Sequence, residues 1–546
     1  MVELKAVGYH NAEIEQICAK LGRYEHVRDR YPDIAPVAFL GASGVGKSST
    51  TNSILHQNGV SHETDSASRG TNIVHEYAMP CTFQTSMFQV SAPYLRESQI
   101  ANLVHNHYQS ILAHLLAVED DDTDDMQETR QDYETALNFF RVLLCNTDDF
   151  ADDDAATEYF KSTLETDADE TIQHLTSLIE EFKSTRKLKD CVEYHDAENC
   201  KELGNIFKTV SRVPRGVPSS PYPWPILSKV GIHHENDLLN AGVVIGDTPG
   251  VDDNDQSMVQ ATKRYIKKAG TVLVFTKFDR GATSDVLDAH LTECIGLGKL
   301  NDVRLIVTNI DGKKIKEDKY DDLNWEDRNR LAEARNLTRQ LKETEAKIHI
   351  DKLEARKERD WDRLDLLETQ LDELPQKIAF AEAKEEQVAV DIKCREDFEK
   401  QVKGKLQKLY KGRAPDLPIH FVSNAEYQKH LRGYDAKKPP SLDIEATGIP
   451  ALRRTLYAIP ARGKANTLAR TSKTLLPSIF GSIIGVLTKS KLERKNDVSK
   501  LIEDVLCEHS RFVEHLSADV KEAFAERVLQ IYGTHQSPSN LKRSAS

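Results

Sequence analysis

The octapeptide Gly41-Ala42-Ser43-Gly44-Val45-Gly46-Lys47-Ser48 constrains this chain more than any other stretch. It has the form G-x-x-x-x-G-K-[ST] and lies between the apolar run Val37-Ala38-Phe39-Leu40 and a helix start, which is the context the motif requires. A loop of this kind turns backbone N–H groups towards phosphate at a helix N-terminus. Lys47 then supplies a point charge to the β- and γ-phosphates, and the Ser48 hydroxyl is placed for Mg²⁺.

Further apolar runs follow at VVIGD (243–247), TVLVFT (271–276), VRLIVT (303–308) and LPIHFVSN (417–424), with helical stretches between them. Alternating strands and helices predict an α/β fold, a P-loop three-layer sandwich with a mostly parallel sheet. VGIHHE and the run ending at Asp247 read as two strands joined by a tight connection at Asn236-Asp237. Long helical insertions and flanking helices fill the rest. The 26 glycines and 19 prolines in 546 residues fall below the roughly 12% of average usage, which leans towards long helices.

The chain divides by pattern into an N-terminal flanking helix (1–32), a first part of the nucleotide domain (33–97) and a helical acidic insertion with a Pro-rich connector (98–225). A middle part (226–322), a helical hairpin (323–411) and a last part (412–462) follow. C-terminal helices read as a partial stalk (463–533), and the tail (534–546) reads as disordered. In the hairpin, Leu364-Leu367-Leu371-Leu374 has clean 3/4 spacing, and Pro375 is expected to kink or break the helix. The acidic runs at 119–125 and 148–154 read as solvated loops.

A net charge of −14 argues against a surface built to grip nucleic acid. No apolar run reaches the roughly 18 residues of a membrane span, and the N-terminus lacks a signal-peptide layout, so an intracellular protein, cytoplasmic or nuclear, is expected. The apolar stretch 474–488 is expected to pack against other terminal helices. Eight scattered cysteines and the pairs His105/His107 and His233/His234 lack the spacing of a metal site.

Asp247-Thr248-Pro249-Gly250 closes a strand where a P-loop protein needs a carboxylate near Mg²⁺ and a mobile N–H, that of Gly250, facing the γ-phosphate. The polar stretch Ser68-Arg69-Gly70-Thr71 offers Thr71 as the threonine that senses Mg²⁺ and the γ-phosphate. Ser48, Thr71 and Asp247 are thus the expected metal residues. Guanine recognition needs an Asp paired with the N1 and N2 hydrogens, and two sequences compete for it: Thr276-Lys277-Phe278-Asp279 and Thr308-Asn309-Ile310-Asp311. The first fits [NT]-K-x-D better by letters. It comes one strand too early, so Asn309 and Asp311 are assigned to the base, with Asn309 replacing the lysine whose stem usually covers it. Ser423 and Asn424, after the last strand, stand where a backbone loop touches the guanine oxygen.

This ordered set resembles the dynamin-like GTPase superfamily, and within it the fungal dynamin-type P-loop proteins related to the vertebrate germinal-centre nuclear GTPase. The resemblance rests on GASGVGKSS with its second serine, Ser49, on SRGTN, on VVIGDTPGVDDND, on the helical insertion between TNID and HFVSNAEY, and on IPALRRTLYAIPA (449–461). It implies GTP/GDP and Mg²⁺ as ligands held by Gly41, Gly44, Val45, Gly46, Lys47, Ser48 and Ser49, and dimerisation across the nucleotide face. Two departures stand out. Gly44 occupies the position of a dynamin serine, and Val251 follows DTPG where Ras-like proteins carry a water-orienting glutamine. Slow intrinsic hydrolysis is therefore expected, with Arg69, Ser43 or a partner residue completing the catalytic set of Lys47, Thr71 and Gly250. A nucleotide-gated scaffold, its hairpin and acidic insertion recruiting protein partners, is the alternative, and an ATPase a further one.

Overall fold

The computed structural model describes residues 35–61, 73–81, 83–119, 123–211, 220–249, 256–281, 285–299, 302–311, 323–400, 402–404, 417–435, 438–475, 477, 478, 480, 481, 484 and 502–511. The chain forms two compact units, residues 35–457 and residues 1–34 with 458–546. Most of the second unit lies outside the described residues, including about half of 474–488 and the whole of the expected N-terminal helix and C-terminal tail.

In the first unit the strands are β1 (Val37–Leu40), β2 (His75–Ala78), β3 (Phe88–Pro93), β4 (Leu188–Lys189), β5 (Val192–Ala197), β6 (Val230–His234), β7 (Ile245–Asp247), β8 (Thr271–Lys277), β9 (Val303–Thr308) and β10 (Ile419–Val422). They form one sheet in the order β10-β9-β8-β1-β7-β2-β6-β3-β5-β4. From β10 to β7 every pairing is parallel, whereas β2–β7, β3–β6, β3–β5 and β4–β5 are antiparallel. The sheet is therefore mostly parallel at the end that carries the phosphate loop.

Composition explains the position of each strand. Val37-Ala38-Phe39-Leu40 is apolar at every position and buried at every position, as a central strand covered on both faces must be. TVLVFT in β8 is likewise buried throughout, and VRLIVT in β9 is buried at every position but Arg304. On one side of this half, Ala38, Val272, Val274, Leu305 and Val307 share a core with Ile266, Leu291 and Phe398.

Helices α1 (Lys47–Ile54), α2 (Glu97–Glu119), α3 (Thr123–Leu144), α4 (Asp153–Ser162), α5 (Ala168–Ser184) and α6 (Cys200–Val210) come before β6. Between β6 and β7 lies the short α7 (Asp237–Asn240), whose N-cap Asn236 accepts from Leu238 N. The tight connection expected there is thus a helical turn, and β6 and β7 are separated in the sheet by β2. Helix α8 (Gln256–Lys268) follows β7, α9 (Phe278–Gly281) and α10 (Asp285–Gly296) follow β8, and α11 (Trp325–Glu358) and α12 (Trp361–Lys393) form the hairpin. Helices α13 (Asn424–Arg432) and α14 (Ile449–Arg470) follow β10.

Three local expectations change. The stretch 98–212 is not all helix, because Val192–Ala197 pairs with β3 and extends the sheet. The run 148–154 is less a loop than a helix start: Asp152 accepts from Ala155 N at 2.8 Å, and Asp153 and Asp154 occupy the first turn of α4, where negative charge meets the helix dipole. Pro375 does not end its helix, since α12 continues to Lys393. The ring lies on the exposed face, where water can satisfy the carbonyl it leaves without a donor. Helices α11 and α12 pack as the expected antiparallel pair. Arg359, at φ 57°, caps the first and Asp360 caps the second, and Arg335–Glu385 (3.2 Å) and Lys352–Glu368 (2.7 Å) bridge them in register.

Candidate functional site

Strand β1 runs into the phosphate loop at the centre of the sheet, with β7 on one side and β8 on the other. Ligands of open α/β sheets bind at such carboxyl-end switch points. Gly46 caps α1 at φ 95°, a left-handed conformation that residues with a Cβ rarely adopt, and this lets the chain turn from the loop straight into the helix. Lys47 is buried and its Nζ donates to Gly41 O at 2.7 Å and Ala42 O at 3.0 Å, so the ammonium folds back over the loop. Ser43 and Gly44 are exposed at the turn, whereas Val45, Ser48 and Ser49 are half-buried. Thr308 Oγ1 donates to Val45 O at 2.7 Å and ties the end of β9 to the loop.

Asp247, at the end of β7, is fully buried. Its Oδ2 accepts from Ser48 Oγ at 2.8 Å and, more distantly, from Ser61 Oγ at 3.4 Å. Its Oδ1 has no hydrogen-bond partner among the described residues. Burial pushes the carboxyl up from the usual carboxylate range, while the Lys47 charge and the Ser48 and Ser61 hydroxyls pull it back. A buried carboxylate oxygen without a donor is costly, and a divalent cation satisfies it. The hard oxygen donors of Asp247 and Ser48 fit Mg²⁺, and phosphate oxygens complete such sites. Thr248 Oγ1 donates to Phe39 O at 2.6 Å and locks the start of the DTPG loop onto β1. Thr71, Arg69 and Gly250 lie outside the described residues.

The base-assigned residues form a second cluster. Ser423 is buried, and its Oγ donates to Asp311 Oδ1 at 2.7 Å across 112 residues of sequence. The same hydroxyl accepts from Glu426 N at 3.2 Å, capping α13. Asn424 Nδ2 donates to Thr50 Oγ1 at 2.9 Å, which joins this cluster to the phosphate-loop helix. Asn309 is exposed at φ 58°, a conformation asparagine tolerates better than most residues, and Asp311 is half-buried. Asp279 is exposed on α9, and its neighbour Phe278 stacks on Phe398 at 5.5 Å.

Sequence reasoning missed four residues here: Asn52 and Ser61, which carry no motif, and Glu76 and Tyr265. Tyr265 of α8 lies over Gly246, where an added Cβ would come within 2.2 Å of its ring, and its hydroxyl donates to Glu76 Oε2 at 3.1 Å. Lys229 pairs with the other oxygen of Glu76. Three of the histidines set aside as ligands have contacts of their own. His107 stacks on Phe139 at 4.2 Å, His233 faces Ser91 Oγ at 2.9 Å, and His234 packs on Phe88.

Residues 37–292 match the family model described as Dynamin family. This match runs from β1 into α10, which is just under half of the chain. Two solved structures of an oligomerised bacterial dynamin pair, described as providing a mechanism for the long-range sensing and tethering of membranes, are similar at 12% identity. One alignment covers 97% of this chain and 62% of the bacterial one at a TM-score of 0.37, the other 94% and 50% at 0.36, so this chain spans about half to three-fifths of their length. No curated protein matches. Among the described residues no helix is long and apolar enough to cross a membrane.

Proposed function

We propose that this chain binds GTP with Mg²⁺ and hydrolyses it slowly to GDP and phosphate, its site being completed by self-association across the nucleotide face or by a protein partner. The strongest support is the convergence at one end of the sheet of Lys47, the Ser48–Asp247 pair and the Asp311–Ser423 pair.

Each group has a task that follows from its surroundings. Loop N–H groups and Lys47 hold the phosphates. Binding exchanges the neutral Gly41 and Ala42 carbonyl acceptors of the ammonium for anionic oxygens, and charge-assisted bonds are about twice as strong as neutral ones. Ser48 and Asp247 would hold Mg²⁺, with Thr71 joining them, and the ion when bound offsets the charge on the β- and γ-phosphates. Asp311 accepts from the guanine N1 and N2 hydrogens, its carboxylate held in place by Ser423. The backbone at Ser423-Asn424 meets the guanine oxygen. Thr71 and Gly250 sense the γ-phosphate, and Arg69 or Ser43 supports the transition state. Val251 cannot orient water as a glutamine does, which makes turnover depend on a second molecule.

The insertion between TNID and HFVSNAEY favours the fungal branch related to the germinal-centre nuclear GTPase within the superfamily. A second reading, a nucleotide-gated scaffold with little hydrolysis, draws on Gly44 and Val251, with the hairpin as its partner-binding arm. Phosphate release that rises steeply with protein concentration excludes it. An ATPase, encouraged by Asn309 alone, is the weakest reading.

Competition of labelled GTP with excess ATP tests the assignment. Wild type should retain GTP, and Asp311→Ala should lose about 1.5–3 kcal/mol of GTP affinity, the range for hydrogen bonds to a charged group. Asp279→Ala should bind as wild type does. Loss of binding in Asp279→Ala with Asp311→Ala intact reverses the base assignment, and effective competition by ATP in wild type rejects GTP selectivity.

A further inference from the structure

Behind the Asp247 carboxylate lies a polar arrangement that neither the phosphate motif nor the base motif accounts for. Asn52, in α1, donates from Nδ2 to Ser61 O at 3.0 Å, and Ser61 N donates to Asn52 Oδ1 at 2.8 Å. The side-chain amide thus pairs with the Ser61 backbone as a strand neighbour would, using both its donor and its acceptor. Both residues are 1% exposed, so the pairing is shielded from water. It holds Ser61 at a fixed place beside β7, and there the Ser61 hydroxyl reaches Asp247 Oδ2.

The result is an asymmetric carboxylate. Oδ2 receives two hydroxyl donors, from Ser48 and from Ser61, while the buried Oδ1 receives none among the described residues. Two donors on one oxygen resist rotation about the Cβ–Cγ bond more than one does. Ser48 donates its proton to Oδ2 and so keeps oxygen lone pairs free. Tyr77, on the neighbouring β2 and fully buried, closes the back of this space.

We propose that Asn52 and Ser61 are positioning residues for the divalent cation: the Asn52 clamp presents the Ser61 hydroxyl to Asp247 Oδ2, which reserves Oδ1 for Mg²⁺. The inference rests on the Mg²⁺–GTP reading above. Partners of metal-ligating carboxylates commonly change metal affinity 10- to 100-fold when removed. The 3.4 Å contact from Ser61 places its effect at the lower end of that range.

The test follows the binding of a fluorescent GTP analogue during a Mg²⁺ titration that starts from EDTA, on the full chain, with thermal unfolding measured alongside. In Ser61→Ala, which keeps the backbone clamp and loses only the hydroxyl, the Mg²⁺ concentration for half-maximal gain in affinity should rise about tenfold. Asn52→Ala should show the same shift together with a lower Tm. An unchanged Mg²⁺ midpoint in folded Ser61→Ala overturns the proposal, whatever happens to Tm, because a purely structural clamp lowers stability and leaves the cation response alone. If Asn52→Ala fails to fold, Ser61→Ala decides alone. Nucleotide binding in wild type that ignores Mg²⁺ defeats the parent reading, and this inference with it.

Discussion

Gly246 sits one residue before the buried Asp247 carboxylate, and the space its missing side chain leaves is filled by the ring of Tyr265. A methyl group there forces the ring off β7. Gly246→Ala should therefore cost about 1–3 kcal/mol, the range for overpacking, and Gly246→Ala with Tyr265→Ala should recover part of it; urea midpoints of the four proteins check this. Lys47→Ala removes the cation that now rests on two loop carbonyls, and GTP binding should be lost while the fold persists, as read by fluorescence titration beside circular dichroism. Lys47, Ser48 and Asp247 are legible in sequence because phosphate chemistry demands fixed letters at fixed spacing. Asn52, Ser61 and Tyr265 are not. Ser61 meets Asp247 from 186 positions away and Tyr265 meets Glu76 from 189, and nothing local marks either pairing.

At the scale of elements, the hairpin was readable from its leucine spacing, and its antiparallel form follows from the charged turn at Arg359-Asp360. Pro375 does not break its helix, because its ring lies on the exposed face, where the carbonyl it strands can reach water. Strand β5 was hidden by its composition: Val192-Glu193-Tyr194-His195-Asp196-Ala197 has only three apolar residues and follows directly on helices. Its Glu193 accepts from Tyr94 and pairs with Arg186, contacts made only by the folded sheet. In the hairpin, Leu367 and Leu374 pack with Ile348 and Ala355, apart from the cluster of Leu331, Ala389 and Ile392 nearer the sheet. Leu367→Ala should thus cost about 2–4 kcal/mol locally. Hydrogen exchange should quicken over 345–375, and GTP affinity should not change. A matching loss of affinity shows instead that the hairpin and the Asp311–Ser423 pair unfold together.

For the molecule as a whole, histidine burial sets a pH response. His56, His107, His234 and His420 are each lowered from 6.5 to about 4, with burial the largest cause in every case. Their neutral forms belong to the folded state, so the unfolded chain binds more protons between these values. The stability they contribute is complete above pH 6.5 and is lost as pH falls towards 4. Urea midpoints should fall steadily from pH 7 to pH 5, and replacing His107, stacked on Phe139, with phenylalanine should flatten the slope. The α/β class and the mostly parallel sheet followed from strand runs alone. The strand order did not, since β6 reaches its place only by pairing beyond β2.

The bond between Ser423 and Asp311 closes an excursion that contains the entire hairpin, with β9 and β10 paired at its neck. A protein cut at Arg359-Asp360 would therefore carry Asp311 on one fragment and Ser423 on the other. On the proposed reading of this pair as the guanine site, neither fragment alone should tell GTP from ATP, and mixing them should restore that choice only where β10 docks beside β9, which turns nucleotide selectivity into a reporter of fragment complementation.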